Sequence, residues 1–181
     1  MRVERLAAAE VGLLARIDRS EHVETQYTVR DGVLVEAPVV MEDIPPWHDG
    51  TGEHSVAEKI EFSAPILAAG AVLLGAFTDA RDLAGLAIVD PTFEPSLAWL
   101  ALLHVSRPHR RQGAASALWR SAAELAVAGG AKELYVSATP TGSAVGFYLS
   151  RGCRLADPVH PALFEHEPDD IHLVGPLRPG G

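Results

Sequence analysis

Three apolar runs stand in the middle of the chain, at residues 71–77, 83–89 and 97–105. Their apolar residues are nearly continuous rather than alternating, which predicts strands of a sheet covered on both faces. Residues 79–82 predict a turn between the first two, Asp90-Pro91 closes the second, and residues 91–95 predict the hairpin loop to the third. Upstream, residues 3–6 predict a short first strand. Residues 7–18 carry Val11, Leu14, Ala15 and Asp18 at three- and four-residue spacing, with Leu13 and Ile17 beside them, and predict an amphipathic helix. Ser20 suits the N-cap of a second short helix, with Val23 beyond it. Asp31-Gly32 marks a turn before a strand at 33–35. Residues 41–52 hold two prolines, two glycines and Trp47, and predict a loop that either borders a binding surface or folds its aromatic side chain back on the core. Residues 53–67 read as a helix in their first half, with Pro65 as a start or stop signal.

Beyond the third run the period becomes helical. Residues 113–128 place Leu118, Ala122 and Leu125 on one stripe, and Gly129-Gly130 stops the helix. Residues 134–138 predict a strand, Thr141 caps a helix at 143–151 that Gly152 ends, residues 171–174 predict a last strand, and residues 176–181 predict a frayed tail. No repeat, linker or compositional break interrupts the chain, so residues 1–181 are expected to form a single domain.

Composition narrows the partners more than the fold. A chain of 181 residues suits one domain with a full core, and 48% hydrophobic with 22% charged residues is ordinary for a soluble globular protein. The net charge of −9 argues against non-specific nucleic-acid binding and is compatible with a cationic partner or with solubility alone. The single cysteine, Cys153, excludes an internal disulfide and a multi-cysteine zinc site, and fits a reducing compartment. Glu4, Arg5, Glu10, Arg16 and Asp18 break any apolar core of a signal peptide. The long uncharged run at residues 62–77 carries Pro65, Gly70 and Gly75 and falls short of the ~20 residues a spanning helix needs. A cytoplasmic protein without membrane contact is the expectation.

The stretch from His104 to Ser116 carries the chemistry. It runs from the end of an apolar strand through a turn holding Arg107, Arg110 and Arg111 to Gly113, Ala114, Ala115 and Ser116 at the start of a helix. The first amides of a helix have no internal partner and lie at the positive end of its dipole, so this arrangement predicts an anion site, read here as a pyrophosphate cradle. Gly113 lets the backbone approach a ligand closely, and the small residues after it keep the first turn open. The Lys-Ser/Thr of a phosphate-binding P-loop is absent after Gly113.

Two segments carry a family resemblance. Arg110-Arg111-Gln112-Gly113-Ala114-Ala115 fits a pattern of Gln or Arg, two variable residues, Gly, any residue, then Gly or Ala. Residues 144–152, Ala-Val-Gly-Phe-Tyr-Leu-Ser-Arg-Gly, resemble a late helix with a Phe-Tyr or Leu-Tyr pair ahead of a Gly-Phe. In this order, separated by a helix and a strand, they resemble the GNAT superfamily of acyl-CoA-dependent N-acetyltransferases. The resemblance implies an α/β fold with a mixed, mostly antiparallel central sheet, helices on both faces and a splayed acyl-CoA cleft. It divides the chain into a cofactor-binding core at about 97–155 and an acceptor-side half at about 1–96.

It further implies acetyl-CoA as cosubstrate, a primary amine as acceptor, direct attack, and no metal. The pyrophosphate would be held by amides of Arg111, Gln112, Gly113, Ala114 and Ala115, with Arg110, Ser116 and Thr141 in the same site. The Val105 amide would polarise the thioester carbonyl. Tyr148 would protonate the departing thiolate, or would only pack against the pantetheine arm. Cys153 stands where the family usually has Phe, and Trp99 where many members place a basic Glu. Candidates for the base are therefore His104, whose alternative is a hydrogen-bonded sheet histidine, together with Asp90, Glu94, Glu21 and Glu24. Trp47, Glu42, Asp43 and Asp49 could line a cationic pocket. His160, Glu165, His166, Glu167, Asp169, Asp170 and His172 fit no metal-ligand spacing and read as a hydrated acidic loop. The rival to an enzyme is a non-catalytic acyl-CoA-binding sensor or scaffold; a homodimer is open in either case.

Overall fold

The computed structural model describes residues 1–52 and 54–177. Its strands are β1 (Arg2–Leu6), β2 (Glu21–His22), β3 (Gln26–Arg30), β4 (Val33–Ala37), β5 (Asp43–Ile44), β6 (Val72–Phe77), β7 (Leu83–Glu94), β8 (Leu97–Val105), β9 (Glu133–Ala138), β10 (Arg154–Leu155) and β11 (Ile171–Pro176). Its α-helices are α1 (Val56–Ala68), α2 (Ala114–Ala128), α3 (Gly142–Leu149) and α4 (Pro161–His166). Seven strands make one sheet in the order β1-β6-β7-β8-β9-β11-β10. Every pairing in it is antiparallel except β8 with β9. A parallel pair needs a crossover, and α2 supplies it.

The three apolar runs become β6, β7 and β8, with Leu73, Ala76, Leu86, Ile88 and Leu100 among their buried residues. One face packs on α2 through Ala114, Leu118, Ala122 and Ala126, and on α3 through Val145 and Tyr148. The other face packs on α1 through Leu67 and on Val11, Leu14 and Ile17 of the N-terminal segment. The mixed, mostly antiparallel sheet covered on both faces is thus present. The buried stripe of α2 ends in Ala126, and Leu125 is only partly buried.

One irregularity positions the site. β8 and β9 pair from Leu97↔Glu133 to Leu100↔Val136 and then separate. β8 nevertheless stays on β7 as far as Gly85↔Val105, after a register shift between Ile88 and Val89. A bulge bends a strand and raises its twist, so the ends of β8 and β9 splay apart.

Several local expectations are corrected. Residues 7–18 form a 3-10 helix, Ala8–Arg16, rather than an α-helix. Its buried contacts Val11, Leu14 and Ile17 recur every three residues, the spacing that three residues per turn aligns. Ser20 caps no helix: its N–H donates to Asp18 Oδ1 at 2.9 Å, and residues 21–22 pair with β5. The turn at Asp31-Gly32 has φ of 51° and 73°, the two left-handed residues of a tight hairpin, and it joins β4 to a strand not foreseen, β3. Pro65 lies inside α1, in its last turn, where only one helical hydrogen bond is lost. β7 runs on to Glu94, and Pro91 sits where its register with β8 shifts, a position that tolerates proline. Pro176 ends β11 and the Leu177 N–H donates to the Lys132 carbonyl at 2.8 Å, so residues 176 and 177 are not frayed. Residues 178–181 of that tail, and Glu53 at the start of the α1 expectation, lie outside the described residues. Among the described residues no helix is long and apolar enough to cross a membrane.

Candidate active site

The splay between β8 and β9 opens a cleft of about 1420 Å³. Its floor is the free edge of β8. Ser106 N–H donates to the Ala84 carbonyl at 2.9 Å while Val105 stands opposite Gly85, so Gly85↔Val105 is a pair without mutual hydrogen bonds. In an antiparallel ladder such a residue turns its own N–H and C=O away from its partner. The Val105 amide therefore points to the side that β9 has left. Its carbonyl is taken by Arg110 Nε at 3.3 Å.

The turn after β8 shapes the second wall. Arg111 and Gly113 both have left-handed backbone, at φ 62° and 87°. The first helical bond of α2 is from the Ala117 N–H to the Gly113 carbonyl at 3.0 Å, which leaves the amides of Ala114, Ala115 and Ser116 without helical partners. A Cβ at Gly113 would meet nothing within 4 Å, so what this glycine supplies to the protein itself is its conformation. Arg111, Gly113, Ala114, Ala115 and Ser116 all line the cleft. The Ser116 hydroxyl accepts from Arg151 Nη2 at 2.9 Å. Thr141, buried, caps α3 by accepting from the Ala144 N–H at 3.4 Å.

Two of the expected cofactor-binding residues have side chains engaged within the protein itself. Arg110 lends no free charge to the cradle. Its guanidinium donates to Glu21 Oε2 at 3.2 Å and to the Arg19 carbonyl at 2.8 Å, besides the Val105 carbonyl. It clamps the end of β8 to residues 19–21. Gln112 turns back, donating from Nε2 to the Pro108 carbonyl at 2.9 Å. Arg110→Ala should accordingly lower stability by about 1–3 kcal/mol, read by thermal melting. The salt dependence of CoA binding should match the wild type, whereas a shallower salt dependence would restore Arg110 as a phosphate contact.

Tyr148 sits on α3 with its ring packed against Trp119 and Phe147, at centroid distances of 5.8 and 5.2 Å. Burial pushes its phenol well above the usual tyrosine range, and the neighbouring Cys153, Asp170 and Glu167 push the same way. It lines the cleft, and its hydroxyl has no hydrogen-bond partner among the described residues. Cys153 is buried below, with its thiol raised to about 11 by burial.

The base candidates fare differently. His104 lines the cleft and meets the edge of Trp47 at 5.2 Å, whose other side carries Arg19 at 4.3 Å. Burial, with Arg19, Lys59 and Arg110 nearby, lowers its pKa to about 3, so the ring is neutral at neutral pH and a weak proton acceptor. Glu21 is spent on Arg110, Glu94 contacts His160 at 3.1 Å, and Asp90 accepts from the Thr92 N–H. Asp90, Glu94 and Glu24 are not among the cleft-lining residues, and Trp99 is buried against Phe62 and Phe93. Of the expected cationic pocket, Trp47 and Asp43 reach the cleft and Glu42 and Asp49 do not.

Three further acids that reach it come from the stretch expected to be a hydrated loop. Residues 161–166 form α4, and Glu167, Asp169 and Asp170 line the cleft. Burial raises the Glu167 pKa, and burial together with Glu167 raises Asp170 to about 7. Two carboxylates three residues apart, directly ahead of the last apolar strand, were their only mark in the sequence. Among the described residues no group of three or more His, Cys, Asp or Glu side chains is placed to hold a metal ion.

Comparison with known proteins agrees with this architecture. The model of the Acetyltransferase (GNAT) family matches residues 40–153, well over half of the chain, and the protein belongs to that family. Nourseothricin acetyltransferase superposes with a TM-score of 0.71 at 19% identity, covering 98% of both chains. A candidate streptothricin acetyltransferase from Bacillus anthracis, solved with acetyl coenzyme A, superposes at 0.64 with 15% identity, again over 98% of both. The PaiA N-acetyltransferase of Thermoplasma acidophilum, solved with coenzyme A, reaches 0.59 at 13% identity, over 97% of this chain and 99% of its own. At such identities the likeness is one of fold. No curated protein matches the sequence.

Proposed function

We propose that this protein transfers an acetyl group from acetyl-CoA to a primary amine of a small molecule or peptide by direct attack. The observation that carries the reading is the continuity of one cleft wall: the outward Val105 amide at the end of β8, then the unpartnered first-turn amides of α2. In that reading the amides of residues 111–116 hold the pyrophosphate at the positive end of α2, as helix N-termini do for anions. The pantetheine arm lies along the free edge of β8, and the thioester oxygen accepts from Val105 N–H as the amine attacks. Holding both reactants in one cleft supplies the proximity term. As the C–S bond breaks, Tyr148, kept protonated by burial, meets the sulfur as a donor.

Incubation with acetyl-CoA and nourseothricin, spermidine or a lysyl peptide is expected to release CoA thiol and a product heavier by one acetyl group. Tight acetyl-CoA binding with no thiol release on any acceptor would instead make the protein an acyl-CoA-binding sensor or scaffold.

A further inference from the structure

We propose that the turn from Glu167 to Asp170 is the subsite that receives the cationic amine of the acceptor, with Asp170 as the carboxylate that takes its proton. This rests on the acetyl-transfer reading above. Glu167 and Asp170 are half-buried and line the cleft together with Tyr148 and the first turn of α2. A carboxylate withdrawn from water is costly unless a cation or donor meets it. Among the described residues the cation felt by both is Lys59, which is itself 3.8 Å from Glu58 Oε1.

A second, separate feature points to a ligand at the same place. Tyr148 is 7% exposed, its hydroxyl has no partner among the described residues, and that hydroxyl lies within electrostatic reach of both Asp170 and Glu167. A largely buried phenol that lines the same cleft as these acids, with its hydroxyl unpartnered, is satisfied when a molecule occupies that cleft.

The turn is also built to hold its geometry. His172, buried at the start of β11, donates from Nε2 to the Glu167 carbonyl at 3.0 Å. Its Nδ1 is then the acceptor, 3.0 Å from the Tyr135 hydroxyl and 3.4 Å from Ser137 Oγ. The Tyr135 oxygen in turn accepts from the His160 N–H at 3.2 Å, at the cap of α4. Burial lowers the pKa of His172, so the ring stays neutral with its tautomer set by these partners. The acids thus rest on a buried polar relay between β9 and β11.

The proton balance is simple. An ammonium acceptor loses one proton to Asp170, which passes it to solvent. The freed nitrogen pair forms the C–N bond as C–S breaks, and the second nitrogen proton ends on the CoA sulfur. The groups facing Asp170 are Glu167 and Asp169, which favour its protonated form, and Lys59, which opposes it. Their balance with burial sets the acid near 7, where a general base works well at neutral pH. Below that pH Asp170 carries a proton and cannot accept one, so kcat/KM rises with pH through about 7.

The test uses the full chain saturated with CoA. Calorimetric titration with spermidine and with nourseothricin is expected to show binding to the wild type. Binding should weaken about 10- to 100-fold in Asp170→Asn and in Glu167→Gln, the range of a lost charged hydrogen bond. It should stay unchanged in Glu24→Gln, an exposed acid outside the cleft. In turnover, Asp170→Asn should lose about 100-fold or more in kcat together with the rising limb near pH 7, at unchanged acetyl-CoA affinity. Failure of both cations to bind the wild type, undiminished binding in Asp170→Asn, or a rising limb that survives in it would each overturn the subsite. Binding that depends on both acids but yields no thiol would overturn acetyl transfer and leave the subsite standing.

Discussion

Tyr148→Phe should lower turnover by about 100-fold or more while leaving CoA affinity within about threefold, because only a proton donor is removed. The ring is held by packing against Trp119 and Phe147, and phenylalanine keeps that packing. The hydroxyl has no partner among the described residues, so its loss leaves no buried group unpaired and should not lower the melting temperature. Thiol release, CoA calorimetry and a thermal melt separate the outcomes. Wild-type turnover in the variant would reduce Tyr148 to a packing residue, and a lowered melting temperature with parallel loss of CoA binding would make it structural.

Gly113→Val should weaken acetyl-CoA binding by about 10-fold or more with a small loss of stability. The backbone at 113 has φ 87°, and a β-branched residue there is strained by about 1–3 kcal/mol. Nothing lies within 4 Å of a Cβ at this position, so no clash within the protein drives the effect. The strain is relieved only by turning the chain, which re-aims the amides of Ala114, Ala115 and Ser116. Asn tolerates left-handed backbone better than most residues, and Gly113→Asn should therefore lose less. Equal losses for Val and Asn, measured by calorimetry, would point to steric exclusion of the ligand and away from amide orientation.

Much of the fold was legible because burial on both faces leaves a direct mark. Unbroken apolar runs became β6, β7 and β8, and the helix after them started at Gly113 and stopped at Gly129. Local turn chemistry was legible where one residue type is nearly obligatory, as at Asp31-Gly32. The misreadings fell where two structures share a pattern. Val11, Leu14 and Ile17 satisfy an α-helix loosely and a 3-10 helix exactly enough to bury all three. Ser20 has the look of a cap, but Asp18 two residues earlier turns the chain instead. Pro65 signals a break only if the helix needs the bond it removes, and in its last turn α1 does not.

The site divides in the same way. The turn at residues 111–116 could be read from the chain because its geometry is local backbone: a left-handed glycine followed by helix amides without helical partners. Arg110 could not, since its partners Glu21 and the Arg19 carbonyl lie some ninety positions away and only folding brings them to it. The same holds for Glu167 and Asp170. In sequence they belong to an acidic stretch with nothing to set them apart. In the tertiary structure the β8–β9 splay opens a space beside them, His172 and Tyr135 fix their turn, and burial changes their proton affinity. Sequence alone determined what the backbone does within a few residues, including the motifs that carry the family resemblance and the unpartnered first turn of α2. Tertiary structure decided which side chains face the cleft and in what charge state, because solvation and long-range pairing exist only once the chain has closed around them.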